Sequence, residues 1–274
     1  MKTLTKNANA KINIGLQVLN KRSDNYHNIN SIFIPISLCD IITISESIQF
    51  ELRSNVQFNI TDDENLVMKA AKKFNEALGI NKAYSIKLQK EIPMQAGLGG
   101  GSADAAVVLK MLNEMNGNPF GDEYLAKLAI ELGSDVPFFI FNKPAIAKGR
   151  GEILEFINFR REINVLVVFP NVNISTKEAY EALKRKQEQV QEIDFYSAFN
   201  TGHYNLIIND FEQYAIEKYK EIREIKDILY ENGSFFALMS GSGSAVYGMF
   251  DSLEDMAIAA EKLDNYKTYF CKTI

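Results

Sequence analysis

The chain has 274 residues, 46% hydrophobic and 24% charged, with a formal net charge of −5. This is the composition of a globular protein with material for one large domain or two closely packed ones. The acidic balance excludes a basic nucleic-acid footprint, and no apolar run reaches the ~18 residues of a membrane span, so neither is an expected partner.

The two cysteines, Cys39 and Cys271, lie far apart without metal-ligand spacing and read as reduced core residues of a cytoplasmic protein. His27 and His203 are too few for a histidine-based zinc site. The N-terminal Met1-Lys2-Thr3-Leu4-Thr5-Lys6 leads into Asn and Lys instead of an apolar signal region, which again gives cytoplasm as the expected location. The one basic cluster, Lys184-Arg185-Lys186, reads as the solvated face of a helix.

Residues 1–60 alternate in character and predict strands separated by polar turns, as in Ile12-Asn13-Ile14-Gly15-Leu16 and Asp40-Ile41-Ile42-Thr43-Ile44. Thr61-Asp62-Asp63-Glu64 has capping-box spacing and predicts the start of a helix that Gly79 ends. A short strand is expected over 85–88, then helices over 103–113 and 122–132, the second stopped by Gly133. Beyond residue 155 a buried strand is expected over 163–169, and Ser175-Thr176-Lys177-Glu178 opens a helix with a second capping box. A long amphipathic helix is expected over 211–231, strands over 235–239, 245–250 and 266–272, and a helix over 253–263 before the last strand. Segregated strands and helices of this kind predict an α+β fold, with halves at 1–154 and 155–274 and no flexible linker between them.

The most informative segment is Pro93-Met94-Gln95-Ala96-Gly97-Leu98-Gly99-Gly100-Gly101-Ser102-Ala103-Asp104-Ala105-Ala106. Glycine costs roughly 0.5–1 kcal/mol relative to Ala in regular structure, so four in five positions need a reason. Without Cβ atoms the backbone can aim its N–H groups at a bulky anion. The helix that follows adds unpaired donors and about half a positive charge at its start. With Ser102 at the expected N-cap and small residues after it, loop and helix form a phosphate cradle, whereas a bare glycine run reads equally as a flexible turn. No Lys-Ser/Thr follows the last glycine, as a P-loop requires. Ser102 stands where a dinucleotide fingerprint has its third glycine.

At this point the chain resembles the GHMP kinases. The resemblance runs through Ala10-Lys11-Ile12-Asn13, Asn25-Tyr26-His27, the glycine segment, Gly133-Ser134-Asp135-Val136-Pro137-Phe138 and Ser240-Gly241-Ser242-Gly243-Ser244, five motifs in one order. Gly97-Leu98-Gly99-Gly100-Gly101-Ser102 is most similar to members of that family that phosphorylate a cytidine-diphosphate-linked isoprenoid precursor. The resemblance implies the two-domain GHMP fold, an N-terminal half like ribosomal protein S5 domain 2 and a C-terminal ferredoxin-like α/β sandwich. It also implies ATP as co-substrate, Mg²⁺, and a monomer or homodimer.

Phosphoryl transfer to an alcohol needs a group to accept the hydroxyl proton and positive charge near the reacting oxygens. On spacing alone Asp135 is equally a helix-terminating carboxylate and Lys11 a solvent-facing strand lysine. The resemblance implies Asp135 as general base and Lys11 as its electrostatic partner. Asn13, on the same strand face as Lys11, is suited to bonding the substrate polyol. Asp104 either complements the helix dipole or belongs to a metal shell; no metal ligand is identified.

On the substrate side, Tyr26 and His27 are an aromatic–imidazole pair of the kind that stacks on a base and bonds its edge, although ordinary packing explains such a pair as well. The resemblance implies a cytosine pocket there, with Tyr180 as a second wall. It also implies that Gly241, Ser242 and Gly243 support the phosphates, where a tight turn is the alternative, and that Asn65, Leu66 and Lys90 lie at the adenine. The remaining ATP-binding positions are Pro93, Met94, Gln95, Ala96, Gly97, Leu98, Gly99, Gly100, Gly101, Ser102 and Ala103. Gln95-Ala96 and Ser134 depart mildly from the family pattern and remove no chemical group. Two other readings stay open: a GHMP kinase for another small alcohol such as homoserine, and a nucleotide-binding regulator that has lost chemistry.

Overall fold

A computed structural model describes residues 2–58, 60–159, 162–183 and 191–274, so the basic cluster Lys184-Arg185-Lys186 lies outside the described residues. The elements follow in the order β1 (Thr3–Lys21), β2 (His27–Ser47), β3 (Glu51–Ser54), α1 (Leu66–Leu78), β4 (Ala83–Gln89), α2 (Gly100–Met115), α3 (Asp122–Ile130), α4 (Val136–Phe141), β5 (Ala145–Lys148), β6 (Ile153–Phe156) and β7 (Asn164–Phe169). They continue with α5 (Thr176–Ala182), α6 (Phe195–Asn200), α7 (Glu212–Lys218), α8 (Lys220–Glu231), β8 (Phe236–Met239), β9 (Val246–Phe250), α9 (Leu253–Lys262) and β10 (Lys267–Lys272). The chain forms two compact units, Met1–Ala10 with Cys39–Met94 and Gly99–Lys143, and Lys11–Leu38 with Gln95–Leu98 and Pro144–Ile274.

In the first unit the C-terminal half of β2 pairs antiparallel with β4, Ile44 opposite Ile86, and β3 runs parallel to β4. Buried Val67, Ala70, Ala71 and Phe74 recur at helical spacing along α1, which packs on α2. The capping box closes a 3₁₀ turn over Asp62–Glu64, where the Glu64 carboxylate accepts from the Thr61 N–H and hydroxyl, both at 2.9 Å. The α-helix itself begins after Asn65, whose side chain accepts from the Val67 N–H at 3.0 Å. Gly79 ends it in the left-handed conformation (φ 68°).

In the second unit β2 pairs with β5 over Ser31–Phe33, and β5 pairs with β6, all antiparallel. A four-stranded antiparallel sheet has the order β10-β7-β9-β8. Leu166, Val168, Val246 and Phe250 from that sheet share a core with Phe211, the N-cap of α7, and with Ala215, Ile222, Ile225, Leu229 and Met256 from the helices.

Several expectations change. The helix expected over 211–231 is two helices, because Tyr219 leaves helical geometry (φ −134°, ψ 97°) and its hydroxyl bonds the Asn173 carbonyl at 3.1 Å. The expected strands over 163–169, 235–239, 245–250 and 266–272 each begin one residue later. Cys271 is buried, but Cys39 is only half-buried. Residues 10–19 of β1 are buried on both faces, so the solvent-facing reading of Lys11 is corrected: it is 3% exposed. Among the described residues no helix is long and apolar enough to cross a membrane.

Candidate active site

The glycine bend alternates in hand, with Gln95, Gly97 and Gly99 all at positive φ (54°, 76° and 72°). Gly99, and not Ser102, is the N-cap of α2, which starts at Gly100, three residues before the expected position. Ser102 lies inside the first turn. Gly99 caps by backbone alone, its carbonyl accepting the Ala103 N–H at 2.9 Å, and α2 has no side-chain cap. Side-chain oxygens therefore do not compete with an anion for the first N–H groups of the helix.

In the second unit Gln95–Leu98 is built into a buried polar network. The Lys11 ammonium donates to the Asn13 side-chain oxygen and, at 3.0 Å, to the Gly97 carbonyl, and lies 5.0 Å from the centre of the Phe33 ring. The Lys11 N–H donates to the Leu98 carbonyl at 3.0 Å. Asn13 donates to the Ser31 hydroxyl at 2.9 Å, and Ser31 donates to the Gly15 carbonyl at 2.6 Å. The Ser240 hydroxyl donates to the Gly97 carbonyl at 3.0 Å, and the Tyr247 hydroxyl to the Asn13 carbonyl at 2.7 Å. Burial, with Glu212 adding to it, pushes the Tyr247 phenol well above its ordinary value, so it stays a neutral donor. Lys11 and Asn13 thus meet each other, as their spacing on one strand face predicts, and Lys11 also reaches Gly97, which that spacing did not predict. Phe33, Ser31 and Tyr247 were not foreseen, because only long-range pairing gives them a role.

Elsewhere in the second unit, His27 stacks on Tyr180 with ring centres 5.2 Å apart and planes at 20°, and Tyr180 meets Phe211 edge-on at 4.8 Å. Burial, then Lys21, holds the His27 imidazole below its ordinary pKa, which keeps it neutral and able to accept as well as donate. Tyr26 is 56% exposed, with the Arg150 guanidinium 4.9 Å over its ring. Arg150 was missed, since no local pattern marks it. Ser175 caps α5, the Thr176 hydroxyl lies 2.9 Å from that of Ser242, and Gly241 and Gly243 turn at φ 57° and 89°. Asn209 holds this turn by donating to the carbonyls of Met239 and Gly241, both at 2.8 Å.

The remaining positions lie in the first unit. Asp135 is the N-cap of α4, an element absent from the sequence-based expectation. It is half-buried and its carboxylate caps none of the helix N–H groups, which leaves it available for other chemistry. Asn65 is buried as the cap of α1, and Leu66 is half-buried, its side chain 3.8 Å from where a Gly101 Cβ would stand. Lys90 is 8% exposed and ion-paired to Asp40 and Asp104, the latter at 2.8 Å. Burial opposes its charge, but the two carboxylates outweigh it and hold its pKa above the ordinary value. Among the described residues no cluster of three or more His, Cys, Asp or Glu is arranged for a metal.

These features coincide with two family matches, the GHMP kinases N terminal domain over residues 65–143 and the GHMP kinases C terminal over residues 178–268. The chain belongs to the GHMP kinases. Its curated relatives include a 4-diphosphocytidyl-2-C-methyl-D-erythritol kinase from Azobacteroides pseudotrichonymphae, 42% identical over 88% of this chain and 91% of the relative. Another from Prosthecochloris aestuarii is 37% identical over 98% of this chain and 97% of its own length. Among solved structures, a 4-(cytidine 5'-diphospho)-2C-methyl-D-erythritol kinase superposes with a TM-score of 0.85 at 31% identity, covering 99% of this chain and 100% of that one. The fold is accordingly the two-domain α+β GHMP architecture, as the sequence implied.

Proposed function

We propose that this chain transfers the γ-phosphoryl group of ATP to the 2-hydroxyl of 4-diphosphocytidyl-2-C-methyl-D-erythritol, a step in non-mevalonate isoprenoid precursor synthesis in the cytoplasm. The observation that carries the reading is the buried Lys11 ammonium, wired to Asn13 and to the carbonyl of Gly97. A buried cation is costly unless paired. Placing one against a phosphate-type bend suits a reaction that gathers negative charge there.

In this reading Asp135 accepts the hydroxyl proton while Lys11 lowers the hydroxyl's pKa and orients it with Asn13. The segment Pro93–Ala103 cradles the triphosphate, Asn65, Leu66 and Lys90 border the adenine, and Gly241–Gly243 supports the phosphates. Tyr26, His27 and Tyr180 hold the cytosine, with Arg150 beside Tyr26. The chain divides functionally into an ATP-binding half, 1–154, and a C-terminal half, 155–274. Mg²⁺ bound to the nucleotide would neutralise charge on the β- and γ-phosphates. Asp104 does not suit a metal shell, because the Lys90 ammonium stands 2.8 Å from its carboxylate.

The test is ADP release over a panel of alcohols with and without the cytidine diphosphate group. Turnover that requires the cytidyl group is expected. Turnover only with homoserine, or nucleotide binding with no turnover, would replace this reading.

A further inference from the structure

Lys90, Asp40 and Asp104 form an ion triad sealed inside the first unit, their side chains 5%, 0% and 3% exposed. The lysine backbone is pinned as well. Its N–H donates to the Asn55 side-chain oxygen at 2.7 Å, and its carbonyl accepts from the Asn55 amide at 3.1 Å. One oxygen of Asp40 takes the ammonium, and the other accepts the N–H groups of Glu91 and Ile92 at 2.6 and 2.9 Å. Residues 90–92, the run into the glycine bend, are therefore fixed from two side chains.

The ammonium stands at a telling place. A Cβ on Gly100, the first residue of α2, would lie 3.2 Å from the Lys90 nitrogen. A helix start carries about half a positive charge, so a buried cation beside it is repelled and requires anionic partners. Asp104, in the same helix turn, supplies one at 2.8 Å. Its second oxygen is buried with no hydrogen-bond partner, a cost that a purely structural pair would have no reason to retain.

We propose that Asp40 and Asp104 are positioning residues for nucleotide binding that act through Lys90. By fastening its ammonium against Gly100 they hold the first turn of α2 in the conformation that offers its N–H groups to the triphosphate. Neither carboxylate touches the nucleotide. This rests on the reading of the bend as the ATP loop.

Burial raises the Asp104 carboxyl to about 7, Lys90 pulling against that shift and Asp40 adding to it. Lys90 and Asp40 are the charged groups acting on it. The helices α1, α3 and α4, which also pack on α2, bury apolar side chains, apart from Asn75 of α1. Protonation near neutrality therefore loosens the grip of Asp104 on Lys90.

The experiment is calorimetric titration of a non-hydrolysable ATP analogue into the full chain, its Asp104→Asn variant and the Lys90→Met/Asp104→Leu double variant, from pH 6 to 9. Asp104→Asn keeps shape and an acceptor but removes charge. At pH 8 it is expected to bind about tenfold more weakly, in line with a lost charged hydrogen bond. The gap should close below pH 7, and the KM for the alcohol should stay unchanged. The double variant, with apolar groups in place of the pair, should stay weak. Wild-type affinity in Asp104→Asn at every pH, or affinity restored in the double variant, would reduce the triad to core packing and overturn the proposal. Failure of the unaltered chain to bind any triphosphate would instead remove the ATP-loop reading beneath it.

Discussion

Gly97 and Ser240, 143 positions apart, approach so closely that a Cβ on Gly97 would lie 1.9 Å from the Ser240 carbonyl oxygen. Backbone meets backbone there, so nothing can swing aside. Gly97→Ala should therefore cost about 3 kcal/mol or more and abolish turnover, through overpacking added to a left-handed φ. Gly79 has almost the same φ (68°) with nothing within 4 Å of its Cβ position, so Gly79→Ala should cost only about 1 kcal/mol. Urea denaturation of the two variants checks the contrast. Equal losses would mean that the close approach is not what demands glycine at 97.

Asp135→Asn should leave ATP-analogue affinity unchanged while kcat falls roughly 10²-fold or more, the usual size of general-base contributions. Lys11→Met should lower kcat as well and also destabilise the chain, since it removes a buried charged donor from Asn13 and from the Gly97 carbonyl, which retains the Ser240 hydroxyl. Steady-state kinetics beside calorimetry separates the two effects. Near-normal turnover in Asp135→Asn would remove it from the chemistry.

The His27 imidazole has its pKa lowered by burial and by Lys21. A depressed value means that the stabilising neutral state is present above the ordinary imidazole pKa of about 6.5 and is lost as pH falls through the folded value. The melting-temperature advantage of the natural chain over His27→Gln should therefore shrink as pH is lowered from 7 to 5. Tyr180→Ala, which removes the stacking partner, should raise the KM for the cytidyl substrate several-fold with little change for ATP. An advantage constant with pH would contradict the burial of a neutral ring.

Asp104 has the opposite sign. Its carboxyl is raised to about 7, so the stability it contributes is greatest at acid pH and is lost as pH rises through that value. Thermal melts should show the natural chain losing ground to Asp104→Asn between pH 5 and pH 8. A natural chain that instead gains stability relative to Asp104→Asn as pH rises would contradict the burial assigned to this group.

Asn209 donates to two buried carbonyls, those of Met239 and Gly241. Asn209→Leu orphans both and should cost about 1–3 kcal/mol for each. The Gly241–Gly243 turn should also loosen, which amide hydrogen exchange at residues 240–244 reads directly. Unchanged protection there would mean that the turn is held by other contacts.

What the sequence settled by itself was local chemistry. Glycines in a row, a capping Ser175 three residues before Glu178, and apolar spacing along α1 act through neighbouring backbone, so bend, caps and helices were legible, as was the family through its ordered motifs. The misjudged elements were those where a distant contact or a left-handed backbone turn outweighed the expected local preference. Tyr219 broke a continuous helical pattern by reaching Asn173, and Gly99 displaced Ser102 as the N-cap because the bend turns left-handed there. Lys11 gave no sign in the sequence of being buried, because burial depends on which strands and turns close over a side chain. Only the tertiary structure could bring Ser240 and Tyr247 to the bend network, or Asp40 and Asp104 to Lys90, since hydrogen bonds and ion pairs are set by distance in space and leave no periodic mark along the chain.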